Sequence, residues 1–207
     1  MLEATIHGVI LAFGLILPLG AQNVFIFNQG ANQATVWRAL PALLTASLCD
    51  TLLILLAVLG ISLLVLSFAW LQMTIFGIGF LFLLYMGWSV WNSTPATDET
   101  AATPLSPQKQ IGFAASVSLL NPHAILDTVG VIGTSSLHYD GMEKGAFTLA
   151  CIIVSWLWFL GLILAGRWLK KRDRSGRWLR RLNRVSALII WGVAVYIGWS
   201  LLQQING

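Results

Sequence analysis

The stretch between residues 40 and 91 carries a single charged side chain, Asp50, in about 50 residues. A helix crosses the hydrocarbon core of a bilayer in about 20 apolar residues, so this stretch is too long for one span and fits two. The whole chain has 207 residues, of which 57% are hydrophobic and only 10% are charged. A soluble domain of this size cannot bury so much apolar surface. The chain is therefore predicted to be an integral membrane protein.

Four further apolar stretches are each long enough for one span, and the 40–91 stretch is expected to break near residues 67–70. The prediction is an all-α membrane protein with six transmembrane helices, since six spans of helical length use up nearly all of the apolar sequence. The four further stretches are 6–27, 111–134, 145–168 and 185–202.

The six predicted helices divide into two units of three. The first unit covers residues 1–92 and the second covers 111–207, with a cytoplasmic linker rich in Thr, Ser and Pro over 93–110. Three spans in each unit place the two units in opposite orientations, which is the inverted repeat of many secondary transporters. An offset of 104 residues aligns Gly8 with Gly112, Pro18 with Pro122 and Asn23 with Asp127.

The aligned prolines predict that helices 1 and 4 are interrupted near Pro18 and Pro122. Proline removes a backbone donor and clashes with the preceding helical turn, and Gly20 loosens the first break further. Two ordinary proline kinks are the alternative. Unpaired backbone groups at membrane depth are tolerated only inside protein or beside water, so two breaks indicate a site near the midplane.

The basic residues predict the orientation of the chain. Nine of the twelve Lys and Arg residues lie within 167–184, and Arg38 and Lys109 fall on the same side. With both termini outside, only Lys144 faces out, as the positive-inside rule favours. A basic segment can also bind nucleic acid, but an orientation signal lying on anionic lipid is favoured here, and no nucleic-acid partner is expected.

Two carboxylates, Asp50 and Asp127, lie inside predicted spans, whereas the other six acids belong to termini or loops. An acid at the centre of a membrane helix costs about 2.5–3.5 kcal/mol, and no Lys or Arg inside a span is available to pair with either. A protonated acid bonded to a backbone carbonyl or a serine is the structural alternative. Two such acids, one in each unit, favour a functional role with a cationic guest, protons or both.

Export of a cation against a negative-inside potential costs about 2.3 kcal/mol per 100 mV, so it needs coupling, and proton antiport is the simplest form. An acid in low-dielectric surroundings can exchange a proton near neutral pH. From the residues alone, the chain is interpreted as a small secondary transporter with an acidic site near the midplane.

Other polar side chains lie next to the predicted breaks. Gln22 and Asn23 follow the first break, and Asn121 and His123 flank Pro122, where they can bind a ligand or backbone groups. The N-terminus of a half-helix exposed at such a break suits a carboxylate.

Trp156 and Trp158 in the fifth predicted helix are candidates for a cation–π contact, although packing is the simpler reading. Cys49 and Cys151 form no CxxC pattern or Cys–His cluster, so neither a metal nor a cofactor is expected.

Several motifs together resemble the LysE/ArgO family of basic amino-acid exporters. They are PLGAQN at 18–23, VFIFNQG at 24–30, Asp50, LNPHAILDT at 120–128 and SWLWFLG at 155–161. The resemblance covers essentially the whole chain and implies export of L-arginine or L-lysine through the bacterial inner membrane. The first motif of the family reads PLGPQN, so Ala21 is a departure that leaves the rigidity of the first break and the substrate preference open.

The resulting hypothesis is alternating access with a cationic amino acid bound between the two units. Asp50 and Asp127 face the side-chain cation or carry the coupling proton. Gln22, Asn23, Asn121 and backbone amides at the breaks hold the α-carboxylate and α-amino groups, and His123 has either a structural or a proton-transfer role. The alternatives are an exporter of another small amino acid, a passive channel or a scaffold. No enzymatic motif is visible, and arginine against lysine, proton stoichiometry and oligomeric state stay open.

Overall fold

The computed structural model describes residues 1–17, 20–60, 69–92, 104–121, 125, 127–173 and 177–206, and all regular structure in them is helical. Seven α-helices are described, together with a π-helix over Thr128–Gly133 and a 3-10 helix over Ser136–His138. The α-helices are α1 Leu2–Ile16, α2 Ala21–Asn32, α3 Val36–Val58, α4 Ala69–Trp91, α5 Pro107–Leu119, α6 Gly141–Arg172 and α7 Arg177–Asn206.

Three stretches of the described residues are long and apolar enough to cross a membrane: α3, α6 and residues 180–203 of α7. The pair α1 and α2 passes the same test as one broken span, with an angle of 82° between its two arms. The prediction of an all-helical membrane protein is thereby confirmed, whereas the count of six spans stays a prediction.

The two predicted interruptions coincide with places where a described α-helix ends. The helix α1 ends at Ile16 and α2 starts at Ala21, and α5 ends at Leu119. Pro18, Pro122 and His123 lie outside the described residues, as do residues 67 and 68 of the predicted break near 67–70, whereas residues 69 and 70 begin α4. Two helices begin at a residue with a capping hydroxyl group: Thr35 caps α3 and Ser106 caps α5.

The helices pack in a pattern that relates the two halves of the chain. The long helix α6 packs along both α1 and α2, the arms of the broken pair, and α3 packs against both α5 and the π-helix. The helices α3 and α6 also contact each other, and α4 pairs with α7. The core therefore lies where α2, α3, α5 and α6 meet, with α4 and α7 covering one side.

Four helix ends meet at one end of the molecule. The Gln110 side-chain amide donates to the backbone carbonyls of Arg38 and Leu105, both at 3.0 Å, which joins the starts of α3 and α5. The Arg167 guanidinium donates to the carbonyl of Ala34 at 2.9 Å, which places the end of α6 beside the end of α2. The basic residues of these four helix ends are therefore on one side of the protein.

The opposite end of the molecule brings together the starts of α1 and α6. The Met1 ammonium pairs with Glu143, and the ring of His7 is 2.9 Å from the Tyr139 hydroxyl through its Nδ1 atom. Because α6 is one continuous helix, the contacts at its start and those at its end lie a full helix length apart. The broken pair α1–α2 and the helix α6 thus run in the same direction.

Candidate functional site

A cavity of about 240 Å³ lies between the two halves of the chain. Its walls come from the facing ends of α1 and α2, from α3, α4, α6 and α7, and from the segment that carries Asn121 and the start of the π-helix. Its polar lining residues are Gln22, Asn23, Asp50, Asn121, Asp127, Thr128, Cys151 and Ser155.

Asp50 is anchored to the first turn of α2. The Gln22 side-chain amide donates to Asp50 Oδ1 at 2.9 Å, which ties α2 to α3. The Ser155 hydroxyl of α6 lines the same cavity and has no hydrogen-bond partner among the described residues. The bond from Gln22 thus anchors this acid, and hydrogen bonds to a carboxylate are among the stronger ones in proteins.

Asp127 and Asn121 belong to the second half of the chain and line the same cavity. Asp127 directly precedes the π-helix, a rare conformation that is frequent at functional sites. The Asn121 Oδ1 atom is buried and meets no hydrogen-bond donor among the residues that the structure describes. A buried acceptor without a donor is costly, so an N–H group of a bound ligand would stabilise this position.

The N-terminus of α2 opens on the cavity. Gly20 is the N-cap residue, and it supplies no side-chain acceptor to the first turn. Gly20, Ala21 and Gln22 line the cavity, and the first backbone N–H groups of any helix lack an acceptor inside that helix. With the partial positive charge of the helix dipole, this terminus suits a carboxylate.

Asn23 lines the cavity, but its side chain is bonded to protein groups. Its Nδ2 atom donates to the carbonyl of Ile16 at 2.7 Å, and its Oδ1 atom accepts from the Trp158 indole at 3.3 Å. The Trp156 indole donates to the Thr51 hydroxyl at 3.0 Å. Neither tryptophan is among the lining residues, so a cation in this cavity would meet carboxylates rather than indole rings.

The charge of the lining has one sign. Among its described residues are two acids and no Lys, Arg or His, and the remaining surface is mainly aliphatic, with Leu83, Ile189 and Val193 on the α4 and α7 side. No group of three or more His, Cys, Asp or Glu side chains suited to a metal is found in the described part of the chain. The cavity can therefore take a small organic cation with an apolar stem.

The structure brings together most of the side chains that the sequence singled out. Asp50, Asp127, Gln22, Asn23 and Asn121 all line the one cavity, and so does Gly20. His123, Pro18 and Pro122 are outside the described residues.

Sequence reasoning passed over two hydroxyl-bearing lining residues, Ser155 and Thr128, and also the lining position of Cys151. Ser155 carried a signal, since it is the only hydroxyl residue in the apolar stretch 149–166 of α6.

Comparison with known proteins gives a consistent set of relatives. The family model "LysE type translocator" matches residues 13–200. The "Putative amino-acid transporter YisU" of Bacillus subtilis (strain 168) is 57% identical over 97% of this chain and 91% of its own length. The "Arginine exporter protein ArgO" of Enterobacter sp. (strain 638) is 32% identical over 100% of this chain and 99% of its own length.

A second arginine exporter has similar values. The protein of that name from Escherichia coli (strain K12) is 33% identical over 92% of this chain and 91% of its own length. No solved structure shows a significant match to the chain.

Proposed function

The chain belongs to the LysE type translocator family, and we propose that it exports a cationic amino acid, L-arginine or L-lysine, from the bacterial cytoplasm. One observation carries this proposal: two acids from opposite halves of the chain line a single cavity whose described lining holds no basic residue. The names of the relatives support the same substrate class, since two of them are called arginine exporters. A transport role rather than an enzymatic one also follows from this family.

The chemistry of the cavity matches the parts of such a substrate. Asp50 and Asp127 face its side-chain cation or carry the coupling proton. Asn121 Oδ1 accepts from an N–H group of the substrate, and the backbone N–H groups at the start of α2 hold the α-carboxylate. At about 240 Å³ the cavity is smaller than the roughly 300–1,000 Å³ pockets that hold drug-sized ligands, which suits one amino acid.

The helix packing supports an inverted repeat of two three-helix units. In such a repeat, α6 of the second unit corresponds to α3 of the first, and α1 with α2 corresponds to α5 with the π-helix. The packing of α6 along α1 and α2 then matches the packing of α3 against α5 and the π-helix. The contacts of α3 with α6 and of α4 with α7 are unchanged by exchange of the two units. Rocking of one unit against the other would open the cavity to each side of the membrane in turn.

The distribution of charge supports an orientation with both termini outside the cytoplasm. Arg38, Lys109 and Arg167 belong to the helix ends that meet on one side, and Lys144 lies near the other. The basic segment 167–184 then lies on the cytoplasmic leaflet, where anionic lipid attracts it.

A binding screen of the purified protein against the twenty amino acids tests the substrate class. Ligands that bind only the folded state raise the melting temperature. Arginine and lysine should raise it, whereas neutral and acidic amino acids should not. Equal stabilisation by neutral amino acids would favour an exporter of another small amino acid, and stabilisation by none would favour a scaffold.

Efflux from proteoliposomes tests the coupling. Efflux of labelled arginine should saturate with concentration and should accelerate when the outer medium is made acidic. Addition of a protonophore should remove that acceleration. A non-saturable flux that ignores the pH gradient would indicate a passive channel instead.

A further inference from the structure

The break between α1 and α2 is bridged by the side chain of Asn23. Ile16 is the last residue of α1, and no backbone N–H group among the described residues that follow donates to its carbonyl. The Asn23 amide supplies a donor at 2.7 Å. The Asn23 side chain of α2 thereby holds the end of α1, although the chain bends by 82° between the two helices.

Trp158 of α6 contacts both arms of the broken pair. Its indole N–H donates to Asn23 Oδ1 at 3.3 Å, on the α2 arm. Its ring meets the ring of Phe13 edge to face, with centroids 6.2 Å apart and planes at 89°, on the α1 arm. A single side chain of α6 therefore touches the two elements whose angle defines the break.

The bridged break lies next to the acid of the cavity. Gln22, which precedes Asn23 in the chain, donates to Asp50 at 2.9 Å. A rotation of α2 relative to α1 moves Gln22 as well, because both residues belong to the first turn of α2. The position of the donor on Asp50 thus depends on the angle of the break.

We infer that Trp158 is a positioning residue that acts through Asn23 to fix the angle between α1 and α2, and with it the placement of Gln22 against Asp50. The inference rests on the proposed function in so far as the cavity is the transport site. Asn23 then serves the break rather than the substrate, because both ends of its amide are bonded to protein groups. Trp158 acts by its N–H group and by packing, outside the cavity.

Transport kinetics of W158F test the positioning role, with W191F as the matched control. Trp191 also donates its indole N–H to a carbonyl, that of Leu84 at 3.2 Å, but between α7 and α4. W158F should raise the KM for arginine efflux about threefold to tenfold, the range expected for one lost hydrogen bond. The maximal rate per folded protein should stay within about twofold. W191F should leave KM unchanged.

The double variant N23A/W158F tests whether Trp158 acts through Asn23. If it does, the double variant should have the KM of N23A alone, because the partner of the indole is already gone. Multiplied effects of the two substitutions, or an unchanged KM in W158F, would overturn the inference. A lower maximal rate with an unchanged KM would show a merely structural role and would also overturn it.

Spin-label distances test the break without any transport. In a variant with Cys49 and Cys151 replaced by Ala, labels at I10C on α1 and A34C after α2 report the angle. The distance distribution should broaden in W158F and in N23A but not in W191F. Unchanged distributions in both would contradict the inference even if transport is confirmed. If the wild-type protein binds no cationic amino acid, the proposed function is wrong, but the distance measurement still tests the inference.

Discussion

The bond between Gln22 and Asp50 joins the first turn of α2 to the middle of α3 at 2.9 Å. Gln22 is buried, so its amide N–H group would be a buried donor without an acceptor if the Asp50 carboxyl group did not accept from it. The pair therefore holds one carboxylate oxygen in place and leaves the rest of the acid facing the cavity.

Replacement of Gln22 by Ala should weaken substrate binding more than it weakens the fold. A hydrogen bond to a charged group contributes about 1.5–3 kcal/mol, and about 1.4 kcal/mol is a tenfold change in an equilibrium constant. We expect Q22A to raise the KM for arginine at least about tenfold in proteoliposomes.

The control for this variant is Q33A. Gln33 is equally buried near the end of α2, but its amide donates to the carbonyl of Leu105 at 3.0 Å, away from the cavity. Q33A should lower stability without a change in KM. An equal rise of KM in both variants would show that Gln22 acts only through the fold.

At this scale the sequence predicts charged residues better than hydroxyl-bearing ones. Asp50 and Asp127 stand out because a carboxylate in an apolar run is costly. Ser155 does not, since a serine in a helix can bond to its own backbone and is common there. Its position beside Asp50 in the lining of the cavity depends on how α3 and α6 pack, which no local pattern encodes.

The broken pair α1–α2 shows what one helix start can contribute. Gly20 has an extended conformation, φ −79° and ψ 176°, that any residue can adopt, and a Cβ atom there would meet no described atom within 4 Å. A side chain is therefore tolerated at this N-cap. Its chemistry decides whether the backbone N–H groups in the first turn of α2 are occupied by a side-chain acceptor.

The variant G20S should reduce affinity without loss of stability. A serine at an N-cap accepts from the backbone N–H groups two and three positions later. It would occupy the donors that we assign to the substrate carboxylate. The KM for arginine should rise several-fold, whereas G20A, which adds no acceptor, should keep the wild-type KM. A wild-type KM in G20S would place the carboxylate elsewhere.

The close approach of α2 and α6 depends on two glycines. A Cβ atom on Gly30 would overlap the backbone of Ile163, and one on Gly166 would overlap the backbone of Phe27. Overpacking of this kind costs about 1–3 kcal/mol. G30A should lower the melting temperature by about 5 °C, measured by thermal shift in detergent.

The comparison for this contact is G161A on α6, the other helix of the pair. A Cβ atom at Gly161 would meet no described atom within 4 Å, so this variant should melt like wild type or slightly higher. Similar losses in G30A and G161A would mean that the close contact of α2 and α6 is not what limits stability.

At the scale of elements, α1 ends at Ile16 and α5 ends at Leu119, each shortly before one of the prolines that the sequence singles out, because the loss of a backbone donor is a local property. That these prolines interrupt helices 1 and 4 stays a prediction. The π-helix after Asp127 was not predicted. A π-helix has no compositional signature, and this one packs against α3, a contact that no local pattern encodes.

The whole molecule separates basic and acidic functions in space. Arg38 of α3, Lys109 of α5 and the basic residues at the end of α6 lie where four helix ends meet, whereas Lys144 lies near the opposite end. Asp50 and Asp127 line the cavity between the halves. The scarce charges of the sequence therefore occupy separate places, and we propose that the basic ones orient the protein and that the two acids face the substrate.

Reporter fusions at the C-terminus test the proposed orientation. With both termini outside, a C-terminal alkaline phosphatase fusion should be active and a fusion of green fluorescent protein should be dark in bacteria. A fusion placed after residue 173 should give the reverse pattern. A fluorescent C-terminal fusion would contradict the predicted six-span topology or its orientation.

The central claim is that Asp50 and Asp127 together form the site for a cationic amino acid. Efflux of labelled arginine from proteoliposomes tests it most directly, with D140N as the control, because Asp140 is an exposed acid at the start of α6. We expect D50N and D127N each to reduce efflux at least about a hundredfold, while D140N transports normally. Wild-type efflux in both D50N and D127N would contradict it.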